Sequence, residues 1–187
     1  MSSSLKTQEI GAAVDDFLLP GVHGDGQGEG HSLSARLSGK KGGVVLFWSG
    51  VCSHCTRYDE YLNRFERRHP ELALVVLASR NGETPEQIRK TAAERGLTFP
   101  ILHDAGGKIA KEWCTQQTPR AFLIGGDRTL LYRGAIDNYK YPDDPAHVGY
   151  LEPAVAEFLS GQPVVRAETA SFGCAIQSVY YILPISL

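Results

Sequence analysis

Two cysteines separated by two residues carry the clearest chemistry in this sequence. Cys52 and Cys55 lie in the segment FWSGVCSHC, which spans residues 47–55. An apolar run at 44–48 predicts a buried strand ahead of the pair, and a helical pattern begins at the pair itself. That placement puts the first thiol at a helix N-terminus, where backbone N–H groups favour the thiolate. The second thiol lies one helical turn further on, close enough to form a disulfide with the first.

Zinc is the other chemistry that uses this spacing, but a structural zinc site needs a second pair of ligands. The remaining cysteines, Cys114 and Cys174, are single residues without paired spacing. A strand, a C-x-x-C and a helix in that order therefore favour redox chemistry over metal binding. We expect no metal site and no organic cofactor.

Length and composition restrict the function further. A chain of 187 residues suits one domain with a good core and some decoration. The net charge is −2, and no basic run or basic patch with interleaved aromatic residues is present, so no nucleic-acid partner is expected. The apolar stretches fall well short of the roughly 20 residues that span a bilayer, so no membrane span is expected.

The first residues bear on the cellular compartment. Residues 1–9 are polar and contain no apolar stretch of the secretory type. The expectation is a cytoplasmic protein, or a periplasmic one if an export signal has been removed. In a reducing compartment, the four cysteines of this chain are expected to be catalytic or buried rather than joined in structural disulfides.

Hydrophobic periodicity predicts an α/β domain. The expected strands lie at residues 44–48, 72–78, 99–102, 121–125 and 130–135, and the expected helices at 53–68, 85–95, 107–113 and 149–159. Thr84, Pro85 and Gln87 predict a helix start with a capping box. Helical structure is also expected around residues 10–17, and a small hairpin at 17–33.

The order of these elements predicts a central mixed sheet with helices on both faces. Residues 1–16 are expected to form a polar N-terminal lead and 17–160 the domain. Residues 161–187 are expected to form a C-terminal extension that packs on the domain or on a partner. The last residues, 179–187, are apolar for a chain end, which is consistent with an added strand, a flap over the dithiol or a dimer contact.

Residues 15–160 resemble the thioredoxin-like superfamily, in the branch shared by TlpA/ResA-type thiol–disulfide oxidoreductases and AhpC/TSA-like redoxin proteins. The resemblance lies in the segment at 17–33, in the strand and turn at 47–55, and in the helix and following strand within 84–100. It implies a thioredoxin-like fold and thiol–disulfide exchange with a dithiol or disulfide protein partner, without an organic cofactor.

Thr118-Pro119 resembles the Thr-Pro pair of this family, in which the proline peptide is cis and faces the dithiol. In the family, the neighbouring backbone pairs with the bound substrate peptide like an added strand. The resemblance therefore makes Thr118 and Pro119 substrate-binding residues. Trp48 is expected to be a core residue, close enough to the dithiol to join this group and to report on its redox state.

The chain departs from the family pattern at three positions near the motif. Val51 precedes the first cysteine where many relatives have Trp, and Leu46 and Glu60 stand where thioredoxin has a buried Asp and a proline. A different proton acceptor is therefore needed. In TlpA/ResA-like relatives a partly buried Glu faces the dithiol, and Glu83 matches its placement; a raised pKa would let it deprotonate Cys55. The alternative is an ordinary surface carboxylate.

The two thiols are expected to have different roles. Cys52, exposed at the helix start, is expected to attack a substrate disulfide, and the more buried Cys55 to resolve the mixed disulfide. His54 resembles the histidine in the motifs of DsbA and disulfide isomerases, where a cation or donor stabilises the thiolate. That role predicts a couple more oxidising than the roughly −270 mV of thioredoxin. The alternative is a solvated side chain without influence.

Cys174 lies in the segment SFGCAI, residues 171–176. Some relatives in the redoxin branch carry a similar Gly-Cys-x-Ile tail whose cysteine is near the active site. Cys174 is therefore a candidate third redox thiol, or a disulfide partner for Cys114. The alternative for either cysteine is a small buried residue.

Two other functions stay open. A peroxiredoxin-like thiol peroxidase, with antioxidant activity, uses a Pro-x-x-x-Thr/Ser-x-x-Cys loop; Ser49 fits this pattern, but Val45 stands at the proline position. A metal-binding or copper-delivery module would use Cys52, Cys55 and a histidine. Copper-delivery relatives have a wider cysteine spacing than this chain.

Overall fold

The structure is a computed structural model that describes residues 9–25, 27–141 and 143–177. Its strands are β1 (Leu18–His23), β2 (Gly30–Ser32), β3 (Gly42–Trp48), β4 (Leu72–Ala78), β5 (Ile101–His103), β6 (Gln117–Thr118), β7 (Arg120–Gly125), β8 (Leu130–Gly134) and β9 (Cys174–Ala175). Its helices are α1 (Leu33–Leu37), α2 (Ser53–Thr56), α3 (Asp59–Arg68), α4 (Pro85–Glu94), α5 (Lys108–Glu112) and α6 (Leu151–Leu159). Within the described ranges, no helix is long and apolar enough to cross a membrane.

The predicted mixed sheet is confirmed. It has seven strands in the order β2-β1-β5-β4-β3-β7-β8. Strand β3 is parallel to β4 and antiparallel to β7, and β4 is parallel to β5. Because β3 lies between two long neighbours, the turn at its carboxyl end projects from a rigid part of the sheet.

Strand β3 is apolar along its whole length because both of its faces are covered. Val44, Leu46 and Trp48 pack into one core cluster, and Val45 and Phe47 pack into another on the opposite face. Successive side chains of a strand point to opposite faces, so a continuous apolar run is what a doubly covered strand requires.

Helices cover both faces of the sheet, as predicted. Helices α3, α4 and α6 pack on the face of the sheet that bears Trp48, and α1 and α5 pack on the face that bears Phe47. Helix α4 begins with the predicted capping box: the Thr84 hydroxyl accepts from the Gln87 N–H at 3.3 Å, and the Gln87 side chain accepts from the Thr84 N–H at 2.8 Å. These bonds satisfy N–H groups that a helix start leaves free.

Two local expectations were wrong, and one helix was not expected. No helix forms at residues 10–17; instead Ala13 pairs with Thr129, and Val14 is buried in the core. The single helix expected at 53–68 is divided into α2 and α3, because Tyr58 has non-helical dihedral angles of φ −106° and ψ 7°. Helix α1, which the sequence did not suggest, follows the N-terminal hairpin of β1 and β2.

The C-terminal extension lies along the domain as far as the structure describes it. The Arg133 N–H donates to the Ala167 carbonyl at 2.9 Å, and the Thr169 N–H donates to the Arg133 carbonyl at 3.1 Å. The chain then forms β9, which pairs antiparallel with β6. The expectations for residues 179–187, and for residues 1–8 of the N-terminal lead, lie outside the described residues.

Candidate active site

The two cysteines lie at the carboxyl end of β3. Residues 49–51 form a turn after Trp48, Cys52 is the N-cap residue of α2, and the Cys55 N–H donates to the Cys52 carbonyl at 2.9 Å. Helix α2 has four residues, so its macrodipole is small. The small macrodipole alone therefore does not account for the acidity of this site; hydrogen bonds act most strongly on Cys52, and burial acts most strongly on Cys55.

The two thiols have opposite pKa shifts. A hydrogen bond from the Cys55 thiol, followed by hydrogen bonds from Cys174 and Thr118, lowers the pKa of Cys52 to about 4, although burial opposes the shift. Burial, together with the neighbouring Cys52 sulfur, raises the pKa of Cys55 well above its usual range. At neutral pH Cys52 is therefore the thiolate and Cys55 the protonated thiol.

Cys52 is not exposed as the sequence suggested. Its exposed fraction is 0%, and its Sγ lies 3.2 Å from the Thr118 carbonyl oxygen, to which the thiol donates. The C-terminal strand β9 pairs with Thr118 directly beside it. The resemblance suggested that Cys174 lies near the active site, but no pattern predicted this strand pairing, since the two strands involved have two residues each.

The Thr118–Pro119 peptide is cis, as predicted. Thr118 is buried, lies in β6 and faces the motif through its carbonyl oxygen, 3.2 Å from Cys52 Sγ. The structure thus brings the Thr118-Pro119 pair to the two cysteines, although the pair lies more than 60 residues after them in the chain.

Glu83 lies beneath the turn rather than on the surface. Its exposed fraction is 7%; Oε1 accepts from the Gly50 N–H at 2.7 Å, and Oε2 accepts from the Ser49 hydroxyl at 2.9 Å. A Cβ at Gly50 would lie 2.6 Å from Oε1, so the carboxylate needs glycine at this position. Burial raises the pKa of Glu83, while the bonds from Ser49 and Gly50 partly oppose it.

The connection from Glu83 to the resolving thiol passes through Ser49. The Ser49 hydroxyl bonds to Glu83, and the Ser49 backbone bonds to the Cys55 thiol. Glu83 thus contacts, through its side chain, the residue whose backbone contacts the Cys55 thiol.

Arg95 is a functional residue that the sequence analysis missed. Its guanidinium forms a two-point ion pair with Asp59, donates to the Gly50 carbonyl at 3.0 Å and lies 5.4 Å from the Trp48 ring centroid. These contacts fix the turn against α3 and the core. A basic residue at the end of a helix is common, so its sequence position carried no usable signal.

Trp48 and His54 occupy different environments. Trp48 is fully buried beneath Arg95, adjoining the dithiol turn. His54 is half-buried in α2, and its backbone bonds to the Cys174 thiol. Among the described residues its side chain has no hydrogen-bond or ion-pair partner, so its effect on the thiolate stays a prediction.

Cys174 lies against the nucleophile. Both its thiol and its backbone form hydrogen bonds with Cys52, and burial, followed by the Cys52 sulfur, raises the pKa of Cys174. Cys114 is half-buried, and its backbone has a left-handed conformation with φ 51°. All four cysteines are free thiols in this structure. In the described part of the chain, no three His, Cys, Asp or Glu residues are grouped to hold a metal ion.

A mixed sheet whose central strand ends in a Cys-x-x-Cys turn, opposite a cis proline, defines the class of thioredoxin-like thiol–disulfide oxidoreductases, and this chain is one of them. The model of the AhpC/TSA family matches residues 10–133, so the chain belongs to the AhpC/TSA family.

Curated relatives agree with this class, and a solved structure shares the fold. Thiol-disulfide oxidoreductase ResA of Bacillus cereus is 26% identical over 129 residues, which cover 69% of this chain and 71% of that protein. ResA of Geobacillus kaustophilus is 30% identical over 115 residues, 62% of this chain and 63% of that protein. An uncharacterized conserved protein from Geobacillus kaustophilus superposes with a TM-score of 0.79 at 25% identity, covering 92% of this chain and 94% of the other.

Proposed function

We propose that this protein exchanges its Cys52–Cys55 dithiol with a cysteine pair of a protein partner. The observation that carries the proposal is the opposite acidity of the two thiols. The pKa of Cys52 is lowered to about 4, and that of Cys55 is raised. A stable thiolate beside a protonated thiol is what a nucleophile and a resolving residue need.

The exchange proceeds in two balanced steps. The Cys52 thiolate attacks one sulfur of the partner disulfide, forming a mixed disulfide and releasing the other partner sulfur, which takes up a proton. Cys55 then loses its proton and attacks Cys52 Sγ. The Cys52–Cys55 disulfide forms, the second partner thiol leaves, and two electrons have passed to the partner. The reverse sequence oxidises a partner dithiol.

Glu83 is proposed to assist the second step. Its raised pKa and its burial beneath the turn support a role in accepting the Cys55 proton, while its bond to the Ser49 hydroxyl holds the residue whose backbone contacts that thiol. Val51, with an exposed fraction of 62%, adjoins Cys52 and is proposed to contact the partner together with Thr118 and Pro119. His54 is proposed to add to the stabilisation of the thiolate.

The proposed couple is more oxidising than thioredoxin. A thiolate stabilised by hydrogen bonds lowers the free energy of the reduced protein, and a more stable reduced form means a higher potential. The expected value therefore lies above the roughly −270 mV of thioredoxin.

Peroxide reduction is the weaker proposal. It requires the Ser49 hydroxyl to polarise a peroxide, whereas that hydroxyl is buried and donates to Glu83. Antioxidant activity through direct peroxide turnover is therefore not the function that we propose.

The compartment and the oligomeric state are further proposals. A cytoplasmic location is proposed because the two cysteines outside the motif, Cys114 and Cys174, do not have the paired spacing of a disulfide framework, and cell fractionation distinguishes it from the periplasm. A dimer contact through residues 179–187 is proposed from their apolar sequence, and sedimentation of the full chain measures it.

Trapping of a mixed disulfide tests the proposed function. The probe is a cysteine peptide oxidised to its disulfide-linked dimer. In the variant Cys55→Ser/Cys174→Ser, no thiol adjoins Cys52, so we expect one peptide to stay bound to Cys52, whereas the wild type releases both peptides as thiols. The control Cys52→Ser is expected to retain none. A double variant that takes up no peptide at Cys52 would overturn the proposed exchange.

A further inference from the structure

The C-terminal segment is built into the domain as a strand at the cis proline. Cys174 pairs with Thr118 and Ala175 with Gln117 in antiparallel register. The Ile176 N–H donates to the Gln116 carbonyl at 3.0 Å, and its carbonyl accepts from the Asn81 N–H at 2.9 Å. The Ile176 side chain is 1% exposed and belongs to the core cluster of Phe47. The segment is therefore anchored on both sides of Cys174.

This strand occupies the place that a partner peptide would need. An extended peptide adds to a sheet by pairing with an unpaired strand edge, and the edge of β6 beside Cys52 is already paired with β9. With β9 present, Cys52 is fully buried. A partner sulfur has to approach Cys52 Sγ directly, so it reaches the nucleophile only after the segment has moved away.

The residue that the segment places at Cys52 is itself a thiol. Cys174 pairs with Thr118, whose carbonyl oxygen lies 3.2 Å from Cys52 Sγ, so the strand places Cys174 beside the nucleophile. Hydrogen bonding from Cys174 also contributes to the low pKa of Cys52. The Cys174 sulfur thus holds the position of an incoming substrate sulfur. Ser171 and Phe172 precede it at the surface, with Phe172 79% exposed.

We propose that residues 173–176 are an internal occupant of the partner-docking position, and that Cys174 forms a disulfide with Cys52 in competition with Cys55. The inference rests on the proposed function only in using Cys52 as the nucleophile. It makes Cys174 a second resolving residue, and it makes a protein partner compete with the protein's own C-terminal segment.

The chemistry balances with a small disulfide as oxidant. The Cys52 thiolate attacks oxidised glutathione, one glutathione leaves and takes up a proton, and a mixed disulfide remains on Cys52. Cys174 then loses its proton and attacks Cys52 Sγ, and the second glutathione leaves with that proton. Two protein thiols become one disulfide while one glutathione disulfide becomes two thiols. In the oxidised protein, Cys174 can instead attack Cys52 Sγ in the Cys52–Cys55 disulfide. The Cys52–Cys174 bond forms, the Cys52–Cys55 bond breaks, and Cys55 takes up the proton that Cys174 loses. No net oxidation occurs.

Gly173 is the residue that allows this arrangement. A Cβ at Gly173 would collide with the Thr118 carbonyl oxygen and lie 3.2 Å from the Pro119 nitrogen. Both obstacles are backbone atoms and cannot rotate away. The substitution Gly173→Ala therefore displaces the segment while leaving every thiol in the chain. Gly149→Ala is its control, since the added Cβ would have only an ordinary contact, 3.9 Å from Pro153 Cδ.

The test uses the full-length reduced protein, oxidised glutathione, intact mass and disulfide mapping, all in a Cys114→Ser background. We expect Cys55→Ser to lose two hydrogens, to carry no glutathione and to contain a Cys52–Cys174 bond. With Cys174→Ser added, one glutathione is expected to remain on Cys52. With Gly173→Ala added to Cys55→Ser, most of the protein is expected to carry glutathione, whereas Gly149→Ala is expected to behave like its parent.

The outcomes separate this inference from the proposed function. If Cys55→Ser retains glutathione on Cys52 as fully as the variant without Cys174, the internal exchange is overturned while the proposed function stands. If the variant without Cys174 takes up no glutathione at Cys52, the assignment of Cys52 as the nucleophile is wrong.

A second readout is the alkylation of Cys52 above pH 9, which is expected to be on the order of tenfold faster in Gly173→Ala than in Gly149→Ala. Equal alkylation rates in the two variants would contradict the proposal that residues 173–176 cover Cys52.

Discussion

At the scale of single residues, the site separates two thiols of the same motif by their surroundings. Hydrogen bonds from Cys55 and then Cys174 lower the pKa of Cys52 to about 4, against the effect of burial. Cys55 lies in the core beside that negative charge, and its pKa rises. The spacing of the cysteines was visible in the sequence. Their acidity depends on groups that are distant along the chain, and the sequence could not give it.

Glu83 is the residue whose environment makes a pH-dependent prediction. Burial raises the pKa of this carboxyl group above its ordinary value of 4.5. Between that value and the raised pKa, the folded protein binds more protons than the unfolded chain. The free energy of unfolding therefore falls as the pH rises through this window, because the carboxylate must ionise while buried.

The substitution Glu83→Gln removes the buried charge and keeps a carbonyl oxygen for the Gly50 N–H. We expect the variant to be at least as stable as the wild type at pH 7 and to lose the fall in stability just above pH 4.5. Thiol exchange is expected to slow by about a hundredfold, the low end of what a general base contributes. Urea unfolding against pH and the rate of disulfide reduction measure the two effects.

Glu86→Gln is the matched control, since Glu86 is an exposed carboxylate at the start of helix α4, three residues after Glu83. It is expected to leave the exchange rate and its pH profile unchanged. Equal exchange rates in Glu83→Gln and Glu86→Gln would remove Glu83 from the mechanism.

At the scale of elements, helix α4 holds the active-site turn from both of its ends. Glu83 precedes its N-cap and accepts from the Gly50 N–H, and Arg95 at its C-cap donates to the Gly50 carbonyl. The start of this helix was predicted from its capping box because Thr84 and Gln87 contact each other locally. The contacts of its flanking residues with the turn are long-range and carry no local pattern.

Arg95→Met tests this arrangement. Methionine retains packing over Trp48 but leaves Asp59 and the Gly50 carbonyl without the guanidinium. We expect the free energy of unfolding to fall by about 2 kcal/mol, as for the loss of hydrogen bonds to a charged group. Urea unfolding of the reduced protein measures the change.

The control for that variant is Arg89→Met, an exposed position on the same helix. Its effect is expected to stay within about 0.5 kcal/mol, as for ordinary surface substitutions. If the two variants lose the same stability, the ion pair and the bond to the turn contribute nothing specific.

At the scale of the whole molecule, the sheet and most of its helices followed from hydrophobic periodicity. The continuous apolar runs of β3 and β4 require cover on both faces, and that requirement predicts the layered fold. Pairing between β6 and β9 joins residues more than 50 positions apart through strands of two residues. No periodicity marks strands that short, so the burial of Cys52 emerged only from the structure.

The central claim is that Cys52 carries a reversible dithiol couple, and a redox titration tests it most directly. The purified protein is equilibrated at pH 7 in glutathione buffers of graded potential, while Trp fluorescence and intact mass are followed together. We predict one reversible two-electron couple with a potential above the roughly −270 mV of thioredoxin, and its loss in Cys52→Ser. A chain without a reversible couple, or a couple that survives in Cys52→Ser, would contradict this function.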